Sequence, residues 1–413
     1  MSEVVTPHAG AVASGAAEPR SAVRQRWLVF GLCAATMFTE GYDAQFMGSV
    51  VPGIAAEWGV PAGALWPTLS AGLVGLMLGA FFIAPLADNF GRRRLIIYSV
   101  GIFGVLTIAS VFATNITEMA ILRLLTGLGL GGAMANTTAL TAEFSPPHRR
   151  ALYVATMFCT FSLGASFGGL VSAALMDDYG WKAIFLICGI MAVLLLPALI
   201  RYLPESLIKE DAKLTIPFGK LFTDRRARFT VLIWVVFFAN LMELYIITSW
   251  LPTALRDKGL DLAWANIAVA TVQLGGVGSA FFLAWLVDRY GPRFVLPFAF
   301  LTAVLSVATL GLSGSSLVLV LLASIGVGVG TVGAQNCNNG IAAKFYPTEI
   351  RATGVGWALA VGRVGSIIGP AVGGLLLATG PDAIFVFAMI PPLVAAAAYL
   401  VMGNPKELSS HEP

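Results

Sequence analysis

Gly127-Leu-Gly-Leu-Gly-Gly-Ala133, running on to Glu143-Phe-Ser-Pro-Pro-His-Arg-Arg150-Ala151, returns about 200 residues later. The second copy reads Gly328-Val-Gly-Thr-Val-Gly-Ala334, running on to Lys344-Phe-Tyr-Pro-Thr-Glu-Ile-Arg351-Ala352. Without gaps, 9 of these 25 positions are identical. Leu86-Ala-Asp88-Asn-Phe-Gly91-Arg-Arg93 likewise returns as Leu286-Val-Asp288-Arg-Tyr-Gly291-Pro-Arg293, and Gly164 and Gly168 return as Gly365 and Gly369. The matches keep their order, so the chain is two copies of one unit in parallel orientation.

The composition says what the unit is made of. The chain has 413 residues, 57% hydrophobic and 11% charged, with a mean hydropathy of +0.83. A soluble domain carries about 25% charged residues. The apolar residues fall into a dozen blocks of about 18–25, long enough to cross a roughly 30 Å hydrocarbon core. They lie near 27–50, 66–86, 95–113, 119–142, 152–175, 183–202, 230–253, 264–286, 294–312, 317–343, 354–378 and 383–402. The expected fold is an all-α polytopic membrane protein of twelve transmembrane helices in two parallel six-helix halves. The halves span 27–203 and 229–403. A disordered tail over 1–26, a charged linker over 204–228 and a tail over 404–413 complete the chain. Parallel six-span repeats are a transporter architecture with the substrate site between the halves.

The net charge of +3 matters less than its placement. Of 25 Lys and Arg, 20 fall on one side of the twelve-span arrangement, and only Lys182, Arg256 and Lys258 on the other. The positive-inside rule therefore puts both termini in the cytoplasm. These basic loops need no nucleic acid to explain them. The first apolar run starts late and has no clear cleavage site, so no secretory signal is expected. Cys33, Cys159, Cys188 and Cys337 lie within spans and read as packing residues, not as a disulfide or metal set. His8, His148 and His411 lie outside the spans. Carboxylates must therefore carry any intramembrane proton.

Such carboxylates exist. Trp27-Leu-Val-Phe-Gly-Leu-Cys-Ala-Ala-Thr-Met-Phe-Thr-Glu40-Gly-Tyr-Asp43 is membrane-length and ends in two acids on nearly one helix face. A carboxylate at bilayer depth costs about 2.5–3.5 kcal/mol, which points to a proton or cation function. Arg123 and Arg363 are the cations inside spans. Helix rise puts Arg123 and Asp43 at similar depth, so they can pair, as a static tie or as working parts. Arg363 has Ser162 as its counterpart in the repeat and no fixed anionic partner there. Its planar fork suits a substrate carboxylate, or it is satisfied by carbonyls or Glu243. Glu243, in span 7, maps onto Tyr42 and reads equally as a site residue or half of an ion pair. Gln335, Asn336, Asn338 and Asn339 make span 10 polar, with Gln273, Asn240 and Asn136 adding amides. Gln335 and Asn339, one turn apart, are the expected cavity pair. Tyr42, Phe46, Phe161, Phe238, Tyr245 and Trp250 are candidates for ring-stacking walls. No phosphate-binding loop appears, the one Gly-Lys pair being Gly219-Lys220, and no metal-ligand spacing appears. The chain reads as a carrier without a cofactor, driven by an ion gradient or passive.

The Asp-x-x-Gly loops at Asp88 and Asp288 resemble the signature of the major facilitator superfamily, over essentially the whole chain. Four strings are similar to the aromatic acid:proton symporter family. They are Ala87-Asp88…Gly91-Arg92-Arg93, Arg123-Leu-Leu-Thr-Gly-Leu-Gly-Leu-Gly-Gly, Trp250-Leu-Pro252, and Tyr346-Pro-Thr…Arg351-Ala-Thr-Gly-Val-Gly-Trp357…Gly362-Arg363-Val-Gly. That family's Asp-Gly-x-Asp motif stands here as Glu40-Gly41-Tyr42-Asp43. Ala84, Asn89 and Ala135 are further departures from its pattern. The resemblance implies essential roles for Asp43 and Arg123. It also implies that Asp88, Arg92, Asp288, Arg293, Glu143, Arg150 and Arg351 form gating networks with Lys344 at the cytoplasmic surface.

Together these readings describe a monomeric, proton-coupled uptake carrier of the bacterial inner membrane, not an enzyme. Its partners are lipid, protons and a small aromatic carboxylate, with or without ring hydroxyls. Asp43 and Glu40 would couple protons. Arg123, Arg363, Gln335, Asn339, Tyr42, Trp250 and Glu243 would bind substrate. An aliphatic organic anion is the alternative cargo. Drug antiport fits less well, because span 5 reads Gly164-Ala-Ser-Phe-Gly168-Gly169, without the Gly-Pro pair typical of antiporters.

Overall fold

A computed structural model describes residues 20–146, 149–206, 218–223, 226–347 and 350–402. Among them the chain is helix joined by short turns. Ten helices are long and apolar enough to cross a membrane. One of these, Leu152–Tyr202, has 51 residues, more than twice the length a bilayer needs, and breaks at Gly180 into spans 5 and 6. A further helix, Arg20–Trp58, carries Glu40 and Asp43, which lower its apolarity; it is span 1. Span 2 is Ala62–Leu86, span 3 Arg92–Phe112, span 4 Ile116–Phe144, span 7 Arg226–Asp257 and span 8 Leu262–Tyr290. Span 9 is Pro292–Leu312, span 10 Leu317–Phe345, span 11 Arg351–Leu377 and span 12 Pro381–Met402. The result is twelve spans.

Two boundaries differ from expectation. Span 1 is already helical at Arg20, inside the expected tail, and span 7 begins at Arg226, inside the expected linker. Hydropathy marks where the membrane is, whereas basic residues continue a helix beyond it. The rest of the N-terminal tail, much of the linker and the C-terminal tail lie outside the described residues.

The repeat extends to backbone geometry. Glycines with positive φ stand in pairs 200 residues apart: Gly59 and Gly259, Gly91 and Gly291, Gly180 and Gly380. Side chains rarely adopt that conformation, so the same turns are set at the same places in both halves. Helix contacts repeat too. A Cβ on Gly164 would fall 1.9 Å from Phe38 O, and one on Gly365 2.2 Å from Phe238 O. Span 5 therefore rests on span 1, and span 11 on span 7, through bare backbone.

Several contacts between the halves lie on one side of the midplane. Ser166 Oγ donates to Ala270 O (3.1 Å) and Ser70 Oγ to Ile367 O (2.9 Å). Gly48 abuts the Thr248 carbonyl and Gly63 that of Gly374. All of these lie in the part of each span remote from the basic loops. On the basic face a cavity of about 590 Å³ opens beside spans 8 and 10, lined by Asp288, Tyr290, Asn336, Gly340 and Lys344. This cavity is lined by the C-terminal half alone.

Candidate functional site

Gly41, inside the acidic motif, lets span 5 approach: a Cβ there would sit 1.9 Å from Phe161 O. That contact fixes how span 1 is rotated and turns Asp43 into the N-terminal half. Arg123 Nη1 lies 3.1 Å from Asp43 Oδ1 and 3.3 Å from Oδ2. Arg123 Nη2 reaches Thr107 Oγ1 (3.4 Å), Ser110 Oγ (3.1 Å) and Thr126 Oγ1 (3.3 Å). Thr107 also donates to Asp43 Oδ1 at 2.9 Å, and the Cys188 thiol approaches the same oxygen at 3.8 Å. The Phe185 and Phe46 rings flank the guanidinium at 5.0 and 5.9 Å. Asp43 and Arg123 are 4% and 3% exposed, so the pair is sealed. Arg123 Nε is buried without a hydrogen-bond partner. A void of about 30 Å³ lies against Asp43, Arg123, Thr68 and Gly72, room for a water but not for a ring.

Arg363 is placed differently. It is partly exposed, with Nη1 3.3 Å from Tyr245 Oη in its own half and Nη2 3.6 Å from Met134 Sδ in the other. Among the described residues no carboxylate forms an ion pair with it. Glu40 is buried, and neither of its oxygens is hydrogen-bonded. Arg363 thus joins both halves at mid-depth and keeps donors for a ligand.

Of the amides, Gln335 and Asn339 are partly exposed and bonded to each other at 3.2 Å, with Asn240 joined to Gln335 at 2.7 Å. Glu243 is fully buried, with both oxygens unbonded. Tyr42 and Trp250 are fully buried as well, donating to Ile184 O and Pro370 O inside the helix packing. They do not line the open cavity in this arrangement.

Four surface ion pairs among the described residues lie within one half each. On the basic face Arg92 meets Glu143 at 2.5 Å, and Lys344 meets Asp288 at 2.6 Å. On the closed face Glu57 meets Lys182, and Lys258 meets Asp382, each at 2.6 Å. Glu143 and Lys344 are repeat counterparts of opposite sign, so each half makes the same bridge with a different partner. Arg351 Nε donates to Tyr346 O, while Arg150 and Arg293 are exposed. The Asp88 side chain lies outside what is described.

Thr107, Ser110, Thr126, Cys188 and Phe185 were not anticipated. The depth of Arg123 was the one available signal: anything at that depth on spans 3, 4 and 6 is a candidate neighbour.

The Major Facilitator Superfamily profile matches residues 33–358 and 280–413. A 4-hydroxybenzoate transporter of Pseudomonas putida is 36% identical over 92% of this chain and 93% of its own length. A gallate transporter of Pseudomonas putida is 34% identical over 92% of each. The crystal structure of a D-xylose-proton symporter superposes with a TM-score of 0.75 at 17% identity, over 91% of this chain and 97% of that one. That last likeness concerns the fold.

Proposed function

The chain belongs to the Major Facilitator Superfamily and is a transport protein; from that premise we propose that it takes up a small aromatic carboxylate together with a proton. The relatives named for 4-hydroxybenzoate and gallate support the cargo class. The division of labour between the two intramembrane arginines carries the mechanism. Arg123 is sealed and held by an acid and three hydroxyls, whereas Arg363 is reachable and, among the described residues, has no acid bound. The substrate carboxylate sits at Arg363, between the halves. The proton goes to Asp43, for which the water-sized void gives access.

Protonating Asp43 removes the charge that holds Arg123 and loosens the tie between spans 1 and 4. The halves then rock as units, since their surface ion pairs are internal to each. Glu40, three residues before Asp43 on the same helix, is a second buried acid near the pair. Symport of one proton with a monoanion moves no net charge, so each unit of pH gradient supplies about 1.4 kcal/mol. The basic face is the cytoplasmic one by the positive-inside rule. On this reading the carrier works as a monomer in a bacterial inner membrane, both termini inside.

Counterflow of labelled 4-hydroxybenzoate in proteoliposomes tests this. Unlabelled hydroxybenzoates inside should drive label inward. Exchange with aliphatic acids alone would move the cargo assignment to that class, and no exchange would remove the carrier reading.

A further inference from the structure

Three amides on spans 7 and 10 form a chain whose direction is imposed at one point. Asn240 Nδ2 donates to the Thr331 carbonyl at 3.2 Å. A carbonyl only accepts, so the nitrogen end of the Asn240 amide must face it. The same nitrogen donates to Gln335 Oε1 at 2.7 Å. Gln335 Nε2 is thereby turned to Asn339 Oδ1, at 3.2 Å. Asn339 Nδ2 is left as the donor at the partly exposed end.

The other consequence falls at the buried end. Asn240 Oδ1 points away from those partners and is buried without a donor. Three residues along the same helix stands Glu243, 0% exposed, with neither oxygen hydrogen-bonded. Residues i and i+3 share a helix face, and long helical side chains lean toward the N-terminus, here toward Asn240. Two orphaned acceptors on one face need a hydrogen between them.

Among the described residues no cation is hydrogen-bonded to Glu243. Arg363 bonds Tyr245 and Met134, Arg123 pairs with Asp43, Lys344 with Asp288 and Lys258 with Asp382. Arg228 donates to Val401 O. Arg289, at the surface end of span 8, lies over Trp285 and Tyr290. The other ionisable groups on these helices include Arg24, Arg26, Cys33, Glu40, Tyr42, Asp43 and Glu57 on span 1, Arg226, Arg256 and Asp257 on span 7 itself, Cys337 on span 10, Arg351 on span 11 and Tyr399 on span 12. The Tyr399 hydroxyl donates to Asn338 Oδ1 at 2.7 Å.

We propose that Glu243 is a neutral carboxylic acid whose O–H donates to Asn240 Oδ1 and so fixes the amide chain with an NH₂ at its partly exposed end. Glu243 is then a positioning residue that never meets substrate. The ligand group received at Asn339 is an acceptor, such as a ring hydroxyl, ether or carboxylate oxygen. The protonation claim goes beyond the carrier reading, and its spectroscopic test is independent of the cargo.

Infrared spectra of the purified full-length carrier at neutral pH, wild type against Glu243→Gln, test it. The wild type should show a carboxylic-acid C=O band that the variant lacks. An amide NH₂ can replace the acid O–H, so Glu243→Gln should keep substrate affinity within about twofold, while Glu243→Leu, which cannot donate, loses about tenfold. Absence of the difference band overturns the proposal, as does a Gln variant no better than Leu. Should the Leu variant not fold, the band and the near-normal affinity of Glu243→Gln decide the question.

Discussion

Asp43 and Arg123 meet through a single nitrogen: Nη1 of the arginine lies 3.1 and 3.3 Å from the two carboxylate oxygens, leaving Nη2 to three hydroxyls on spans 3 and 4. The acid therefore neutralises the arginine without occupying its whole fork. Its loss leaves a positive charge held only by neutral dipoles in a sealed site.

Removing one partner of such a buried pair costs about 3–5 kcal/mol, because the other charge stays uncompensated. Arg123→Met should therefore lower the melting temperature of the purified carrier sharply. Adding Asp43→Asn should restore much of the loss without restoring transport. A double variant no more stable than Arg123→Met would mean that the pair is not what holds these spans together.

Arg363 is expected to read the cargo's charge. Arg363→Lys keeps the charge but not the planar fork. Affinity for benzoate-like acids should fall roughly 10- to 150-fold, the equivalent of about 1.5–3 kcal/mol, with much less change for the matching amides. Binding measured on purified protein checks this; equal losses for acid and amide would make Arg363 a packing residue.

Helix contact through bare backbone can be tested by adding one methyl group. Gly164→Ala places a Cβ where Phe38 O already stands, and overpacking of this kind costs about 1–3 kcal/mol. Gly278→Ala meets nothing within 4 Å. Thermal melts should separate the two clearly; identical melts would show that span 5 yields easily.

Orientation follows from charge placement and is open to direct measurement. Reporter fusions after Arg94 and Lys406 should report the cytoplasm, and fusions near Asp178 and Asp257 the outside. One reversed site would break the twelve-span arrangement.

The span count and the two-fold repeat were legible because a membrane demands long apolar runs, and the duplicated loops around Asp88 and Asp288 keep their glycines. The depth of Asp43 and Arg123 was legible too, since helix rise is fixed. Rotation about each helix axis was not. Trp250 has the depth of a cavity residue but turns into span 11, where its Nε1 meets Pro370 O. Thr126 illustrates a second limit. Its hydroxyl bonds Leu122 O within its own helix while also meeting Arg123, so a threonine in a span carries no mark of a site. Span 1 was less apolar than the others because it carries Glu40 and Asp43.

Coupling through Asp43 is the central claim, and accumulation against a gradient tests it most directly. In proteoliposomes with a proton gradient, the wild type should concentrate labelled 4-hydroxybenzoate, whereas Asp43→Asn should only equilibrate it while keeping counterflow exchange. Glu40→Gln should be milder. An Asp43→Asn carrier that still concentrates substrate would contradict the account, because the proton would then have to travel on another group.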